Sequence, residues 1–331
     1  MFLCIFVSNL FVVKKILILR FSSIGDIVLT TPVVRCLKRQ LNVEVHYLTK
    51  TSFKSILENN PFVDKVHTFN KEISKELIVQ LQNENFDFIA DLHANLRTFR
   101  LKKLLKVESK SFPKLNVQKW LLVNFNIDTM PNKHIVDRYF DTVSHLGVVN
   151  DQSGLDYFIP NVSHINLDQL PKEQSKGYVG FVIGGQHATK MMPAQKLIDV
   201  CEILDEPIVL LGGPEDASKG EFIAKTVGLK VYNACGKFKL DQSASIVQQA
   251  SWIITHDTGL MHIAAAFKKR IVSVWGNTVP ELGMYPYLAA PESKILEIKG
   301  LSCRPCSKIG YSKCPKGHFK CMEHDLSGFK M

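Results

Sequence analysis

A chain of 331 residues, 46% hydrophobic and 22% charged, is too long for one ordinary domain and has room for two cores, with no segment disordered by composition. A formal charge of +10 asks for a polyanionic partner: nucleic acid, anionic lipid or a phosphorylated substrate. The surplus is not gathered into one long basic run, which weighs against nucleic acid.

Residues 1–13 are apolar, too few to span a bilayer as a helix, and their lysines, Lys14 and Lys15, follow the apolar part instead of preceding it. This reads as the product of an upstream start codon or as a loosely membrane-touching extension, with a cytoplasmic body behind it. Candidate strands then fall at Ile16–Arg20, Val43–Leu48, Lys65–Phe69 and Phe86–Asp91, with helical stretches near Pro32–Gln40, Ser52–Asn59 and Ile73–Glu84 between them. A looser stretch from Asn150 to Ser175 precedes a second series of strands at Tyr178–Ile183, Ile208–Leu211, Lys230–Tyr232, Trp252–Thr255 and Ile271–Trp275. Helical patterns at Ala194–Leu204, Asp216–Thr226, Asp241–Gln249 and Leu260–Phe267 separate these. The alternation predicts α/β architecture, with two Rossmann-like, doubly wound halves.

Such sheets bind ligands at the carboxyl ends of their strands. The polar and glycine-rich runs Phe21–Asp26, Gly184–Lys190, Gly212–Glu215, His256–Gly259 and Gly276–Pro280 stand there, which suits a nucleotide. No G-x-G-x-x-G follows the first strand and no Walker A motif occurs, so a dinucleotide cofactor and a P-loop enzyme are disfavoured. No D-x-D occurs either, so the usual metal-holding pair of many glycosyl-transferring enzymes is missing.

Three constellations carry chemistry. In Arg20-Phe21-Ser22-Ser23-Ile24-Gly25-Asp26, Gly25 permits a tight turn, Thr31 can cap the helix that opens with Pro32, and Asp26 is placed to accept a proton from a hydroxyl. The alternative is that Asp26 merely caps the turn. In His256-Asp257-Thr258-Gly259-Leu260-Met261-His262, a helix start offers N–H groups to a phosphate, with Asp257 as an ordinary N-cap the plainer alternative. In Gly184-Gly185-Gln186-His187-Ala188-Thr189-Lys190, Lys190 can reach a phosphate or simply be solvated, and Glu215 can meet ribose hydroxyls or only complement a helix dipole.

Cys4, Cys36, Cys201 and Cys235 read as small buried hydrophobes. Cys303, Cys306, Cys314 and Cys321 crowd the end of the chain, with His318 and His324 nearby. Their spacing permits a structural zinc site or a disulfide cluster, against a loop of reduced thiols.

Together the runs R-F-S-S-I-G-D-I-V-L-T-T-P, T-K-M-M-P, L-G-G-P-E-D, H-D-T-G-L-M-H-I-A-A-A and W-G-N-T-V-P resemble glycosyltransferase family 9, which contains the ADP-heptose:lipopolysaccharide heptosyltransferases. D-L-H-A-N-L-R-T and H-I-V-D-R-Y extend the resemblance. It implies a GT-B fold, with an acceptor-binding domain at 14–165 facing a donor-binding domain at 176–331 that carries the cysteine-rich tail 303–321. It implies inverting, metal-independent transfer, with Asp26 as base. Lys190, Asp257, Thr258, Gly259 and His262 would hold an ADP-heptose-like nucleotide sugar at its diphosphate, Glu215 its ribose, and Thr278 and Pro280 would line the site. Asn95, Arg97 and Arg138 would meet a lipid A–Kdo or core lipopolysaccharide acceptor, and Arg100, Lys102 and Lys103 form a solvated or membrane-facing basic surface. No cofactor is required, a structural zinc staying open. The expected place is cytoplasmic, peripheral on the anionic inner face of the inner membrane, with no nucleic acid bound.

Family members generally continue into a helix that crosses back to the first domain. The chain stops soon after Cys321, so domain closure is expected to suffer. An inactive GT-B scaffold is one competing reading. Another is a basic, zinc-stapled nucleic-acid-binding protein, which would interleave aromatic with basic residues on one face; the sequence does not show that pattern.

Overall fold

Ile16, Leu17, Ile18 and Leu19 have no solvent exposure, as befits a strand covered on both faces. They form β1 (Lys15–Leu19) in the computed structural model, which describes residues 13–331. Residues 1–12, with Cys4 and nearly all of the initial apolar stretch, lie outside the described residues. From β1 the chain passes through α1 (Ile24–Val28), α2 (Thr31–Leu41), β2 (Glu44–Lys50), α3 (Ser55–Glu58) and β3 (Lys65–Phe69). It continues through α4 (Lys75–Asn83), β4 (Phe88–Asp91), α5 (Leu96–Leu105), β5 (Ser109–Ser111), α6 (Asn116–Phe125) and α7 (Ile135–Phe140). All five strands are parallel, in the order β3-β2-β1-β4-β5.

The second sheet is built the same way. Its elements are β6 (Val179–Val182), α8 (Ala194–Ile203), β7 (Ile208–Leu211), α9 (Ala217–Val227), β8 (Val231–Asn233) and α10 (Leu240–Gln249), then β9 (Trp252–His256), α11 (Gly259–Ala266), β10 (Ile271–Trp275) and β11 (Lys294–Glu297). Six parallel strands run in the order β11-β10-β9-β6-β7-β8. Each sheet reverses its winding once, between β1 and β4 and between β6 and β9. The crevice outside those carboxyl ends is where doubly wound sheets bind ligands.

Polar contacts tie the connecting stretch to the first lobe and the first lobe to the second. In the connecting stretch, Asp151 takes the buried Arg35 guanidinium of α2 at 2.8 and 2.9 Å, with Asp156 and the Gly154 carbonyl as further acceptors. Ahead of α7, the Ile135 N–H donates to the Gly283 carbonyl (2.8 Å) and the His134 ring to the Tyr285 carbonyl (2.9 Å). Among the described residues, no helix is long and apolar enough to cross a membrane.

Several local expectations are corrected. Thr31 is not a cap: α2 already contains it, and its hydroxyl donates to the Val28 carbonyl (2.7 Å) while accepting the Asp156 N–H (2.9 Å). Gly25 does not make a tight turn, because it lies inside α1. Phe86 and Asp87 precede β4, and the Asp87 carboxylate instead accepts the N–H groups of Lys14 and Lys15 at 2.7 and 2.8 Å. The sequence reading has no helix at α5. Its buried face is Thr98, Leu101 and Leu105, while Leu96, Phe99 and Leu104 are exposed, so no clean apolar stripe marks it.

Candidate active site

The first carboxyl-end loop is built around Arg20. Its Nη1 donates to the Leu92 carbonyl at 2.5 Å and to the Tyr139 hydroxyl at 3.0 Å, its Nε to the Ser22 carbonyl at 2.9 Å, and its Nη2 meets Asp26 Oδ1 at 2.5 Å. Asp26 is the third residue of α1 and closes a capping box, accepting from the Ser23 N–H (3.0 Å) and hydroxyl (2.9 Å). Burial works against the Asp26 carboxylate, but the Arg20 guanidinium and the Ser23 donors outweigh it and hold its pKa below the ordinary value. Asp26 is therefore both a cap and an ionised group at the cleft.

α1 packs directly on α11 of the other lobe, and two glycines make this approach. A methyl group on Gly25 would stand 2.5 Å from His262 Cδ2, and one on Gly259 would stand 2.8 Å from Ile24 Cγ2. The contact sets the Asp26 helix against the first turns of α11. His262 is buried with Nδ1 unpartnered. Burial, helped by Lys190, pushes its pKa down to about 4 against the pull of Asp257 and Asp26, so the ring is neutral near pH 7.

The donor-side candidates converge here in part. Asp257 is not the N-cap of α11. That position is Thr258, which makes no side-chain cap bond to the first turn, so the first-turn N–H groups keep their positive end toward the crevice. Asp257 Oδ2 instead pairs with Lys190 Nζ at 2.5 Å and accepts from the Thr278 hydroxyl at 3.1 Å. Lys190, Asp257 and Thr278 thus form one network beside Thr258, Gly259 and His262. Pro280 opens the short turn that follows Thr278. Glu215 does not join the network. It is exposed, whereas its neighbour Asp216 is buried, accepting the Gly213 N–H at 3.1 Å and meeting Lys219 at 3.1 Å. A methyl group on Gly184 or Gly212 would strike Asp216 at 2.2 or 2.8 Å, so these two glycines serve packing around that carboxylate.

The acceptor-side candidates are more dispersed. Asn95 caps α5, its Oδ1 taken by the Thr98 N–H (2.9 Å), and Arg97 stands exposed on the first turn with no ion pair among the described residues. Arg138 is buried against the second lobe, where Nη2 donates to the Leu282 carbonyl at 3.1 Å, while Nε and Nη1 have no protein partner. Lys102 turns inward to Asp91 at 2.8 Å and so leaves the basic surface expected of it, while Arg100 and Lys103 stay exposed.

Sequence reasoning missed four groups. The sequence marks Arg20 only as a strand end. Arg304, inside the C-x-x-C, pairs with Glu297 at 2.8 Å and donates to the carbonyls of Gly276 (2.7 Å), Thr278 (3.0 Å) and Ile298 (3.2 Å), fixing the W-G-N-T loop. His256 accepts the Met192 N–H at 3.0 Å and so holds the Lys190 segment. Lys114 and Lys119 stand beside the cleft. Burial lowers both pKa values, that of Lys119 to about 8 with help from neighbouring Arg138 and Lys308. The C-x-x-C spacing and the basic letters were the available signals for Arg304 and the lysines; a buried arginine at a strand end has none.

Two clusters could be taken for metal sites. The described cysteines are free, and Cys303, Cys306, Cys314 and Cys321 do not bring three ligand atoms within 4.8 Å of one another. His46, His67 and Glu84 do. However, Glu84 already pairs with Lys15 (3.2 Å) and Lys65, and His46 with Glu44 (2.6 Å). This reads as an ion network near the amino ends of the strands, opposite the crevice.

A family model described as "Glycosyltransferase family 9 (heptosyltransferase)" matches residues 75–313. The chain belongs to glycosyltransferase family 9. It is therefore a glycosyltransferase, as the resemblance implied. Among curated relatives, lipopolysaccharide heptosyltransferase 1 of Campylobacter coli is 22% identical over 292 residues, covering 80% of this chain and 84% of that protein. Among solved structures, the E. coli ADP-heptose lipopolysaccharide heptosyltransferase II superposes with a TM-score of 0.68 at 18% identity, covering 88% of this chain and 95% of that one. E. coli heptosyltransferase WaaC with ADP does so with a TM-score of 0.64 at 20% identity, covering 85% and 92%. These likenesses establish the GT-B fold. The family match contains Lys190 and the α11 turn, whereas Asp26 precedes it and enters the site through the packing of α1.

Proposed function

We propose that this family 9 glycosyltransferase moves a heptose from ADP-heptose to the inner core of lipopolysaccharide, with inversion and without a metal ion, working from the cytoplasmic face of the membrane. The observation that carries the reading is the seating of α1 on α11, which puts an ionised carboxylate beside a helix N-terminus and a lysine. In the reaction Asp26 takes the proton of the acceptor hydroxyl as that oxygen attacks the anomeric carbon. The bond to the diphosphate breaks on the opposite side, and its electrons leave with the nucleotide. The open first turn of α11, the Thr258 hydroxyl and Lys190 receive that charge, Lys190 by exchanging part of its pairing with Asp257 for phosphate oxygens. Preorganised donors of this kind each contribute roughly 10²–10³ in rate. The neutral His262 ring backs Gly25 and so keeps α1 in register.

The names of the relatives support the sugar, the nucleotide and the lipopolysaccharide acceptor. Arg138, with two buried unpartnered nitrogens, and the depressed Lys119 support an anionic acceptor. Calorimetric titration with ADP, UDP, GDP and NAD in the presence of EDTA tests the donor. Selective ADP binding, weakened about 10–100-fold in Lys190→Ala by loss of one charge-assisted contact, is expected. Preference for another nucleotide overturns the donor. Magnetic resonance of the product anomer, from an assay with ADP-heptose and Kdo-bearing lipid A, decides inversion.

A further inference from the structure

Residues 96–125 carry eight Lys and Arg against one acidic residue, Glu108, and so hold +7 of the chain's +10. The same stretch holds six of the 17 exposed large apolar side chains among the described residues: Leu96, Phe99 and Leu104 on α5, and Val117, Trp120 and Phe125 on α6. In the chain the two helices precede and follow β5, the fully exposed edge strand of the first sheet. Lys103 Nζ stands 4.6 Å from the centre of the Phe99 ring, and Trp120 and Phe125 meet edge to face at 5.0 Å. Basic and aromatic residues do interleave here, contrary to the sequence reading. Folding of α5 and α6 sends their small apolar complement inward and leaves these side chains out.

We infer that α5 and α6 form a docking surface for an anionic lipid membrane, with the aromatic and aliphatic side chains entering the headgroup boundary and Arg100, Lys103 and Lys106 meeting lipid phosphates. Exposed apolar groups ringed by cations fit that interface, and a tryptophan is at home there. Single-stranded nucleic acid fits less well, because Leu96, Leu104 and Val117 offer no ring to stack on a base. Lys114 and Lys119 belong to the same stretch of chain and stand beside the cleft, within electrostatic reach of Asp26. The inference rests on the proposed lipid-borne acceptor and adds the face on which the enzyme meets it.

The chain carries its own reporter. Of its three tryptophans, Trp252 and Trp275 are 2% and 1% exposed, while Trp120 is 56% exposed. Intact protein is titrated with phosphatidylcholine vesicles with and without phosphatidylglycerol, reading tryptophan emission and vesicle flotation. Phosphatidylglycerol-dependent, salt-sensitive binding with a blue shift of Trp120 is expected. Each cation near an anionic surface contributes about fivefold, so Arg100→Gln/Lys103→Gln/Lys106→Gln should bind about 10²-fold more weakly. Phe125→Ser should reduce the shift, and Trp120→Ser should abolish it and weaken flotation; all these side chains are exposed, and an unchanged circular dichroism melt confirms folding. No vesicle binding, equal binding to neutral vesicles, binding without a Trp120 shift, or binding of single-stranded DNA in place of vesicles would overturn the surface. ADP titration of the same preparation separates the two readings. Nucleotide binding without vesicle binding removes only the surface, and vesicle binding without nucleotide binding removes the donor reading and leaves the surface standing.

Discussion

Gly25→Ala is the sharpest perturbation of this molecule. The added methyl group would lie 2.5 Å from His262 Cδ2, 3.2 Å from His262 Nε2 and 3.4 Å from Gly259 Cα. Carbon atoms at rest stand about 3.5–4.0 Å apart, so α1 and α11 must separate by about 1 Å or the buried ring must move. Overpacking of this kind costs about 1–3 kcal/mol. The neighbouring Asp26 shifts with the helix, and a misplacement of that size costs about 10² in turnover. Urea unfolding and steady-state rates of Gly25→Ala, His262→Ala and the double variant measure both effects. Removing the ring opens the space the methyl needs, so the stability loss from Gly25→Ala should shrink to near zero in the His262→Ala background. Strict additivity in that cycle, meaning no coupling between the two sites, would refute the reasoning, as would wild-type stability and turnover in Gly25→Ala alone.

Asp26→Asn should lower turnover about 10²–10⁴-fold with ADP affinity kept, read by initial rates and calorimetry. Its folded pKa lies below the ordinary 3.8, so the stability it contributes is complete above that value and is lost only as pH falls through the depressed one. Arg304→Ala leaves three carbonyls without their donor and Glu297 with only Lys299 at 3.4 Å, and should cost about 3 kcal/mol in urea unfolding while exposing the W-G-N-T loop to limited proteolysis. Glu84 is held down to about 2, chiefly by its bond to Lys65 and then to Lys15, against an ordinary 4.5. Its contribution is therefore present above pH 4.5 and fades as pH falls toward 2; Glu84→Gln should be less stable than wild type at neutral pH, by up to about 1 kcal/mol for so exposed a network, and the gap should close in acid. A gap that persists at pH 2 would count against that ion network.

The α/β class, the two parallel sheets and most strand positions were legible in the sequence, because apolar runs such as Ile208–Leu211 and Ile271–Trp275 repeat at the spacing of buried strands and their bounds follow from local pattern. The loops at the carboxyl ends were legible for the same reason, and with them Asp26, Lys190 and the α11 turn. Tertiary structure alone decided how these parts combine. It made Gly25 a point of close approach instead of a turn, turned Asp257 from a cap into the partner of Lys190, buried Arg138 at the lobe seam and moved Lys102 to Asp91. It also gave Arg20 and Arg304 their central places and left α5 apolar and basic on its outer face. Most of these depend on contacts between residues distant in the chain, such as Gly25 with His262, Lys190 with Asp257 and Arg138 with Leu282, which leave no periodicity to read. A strand can announce itself through its own neighbours, but a pairing across a cleft is set by how two independently patterned lobes meet.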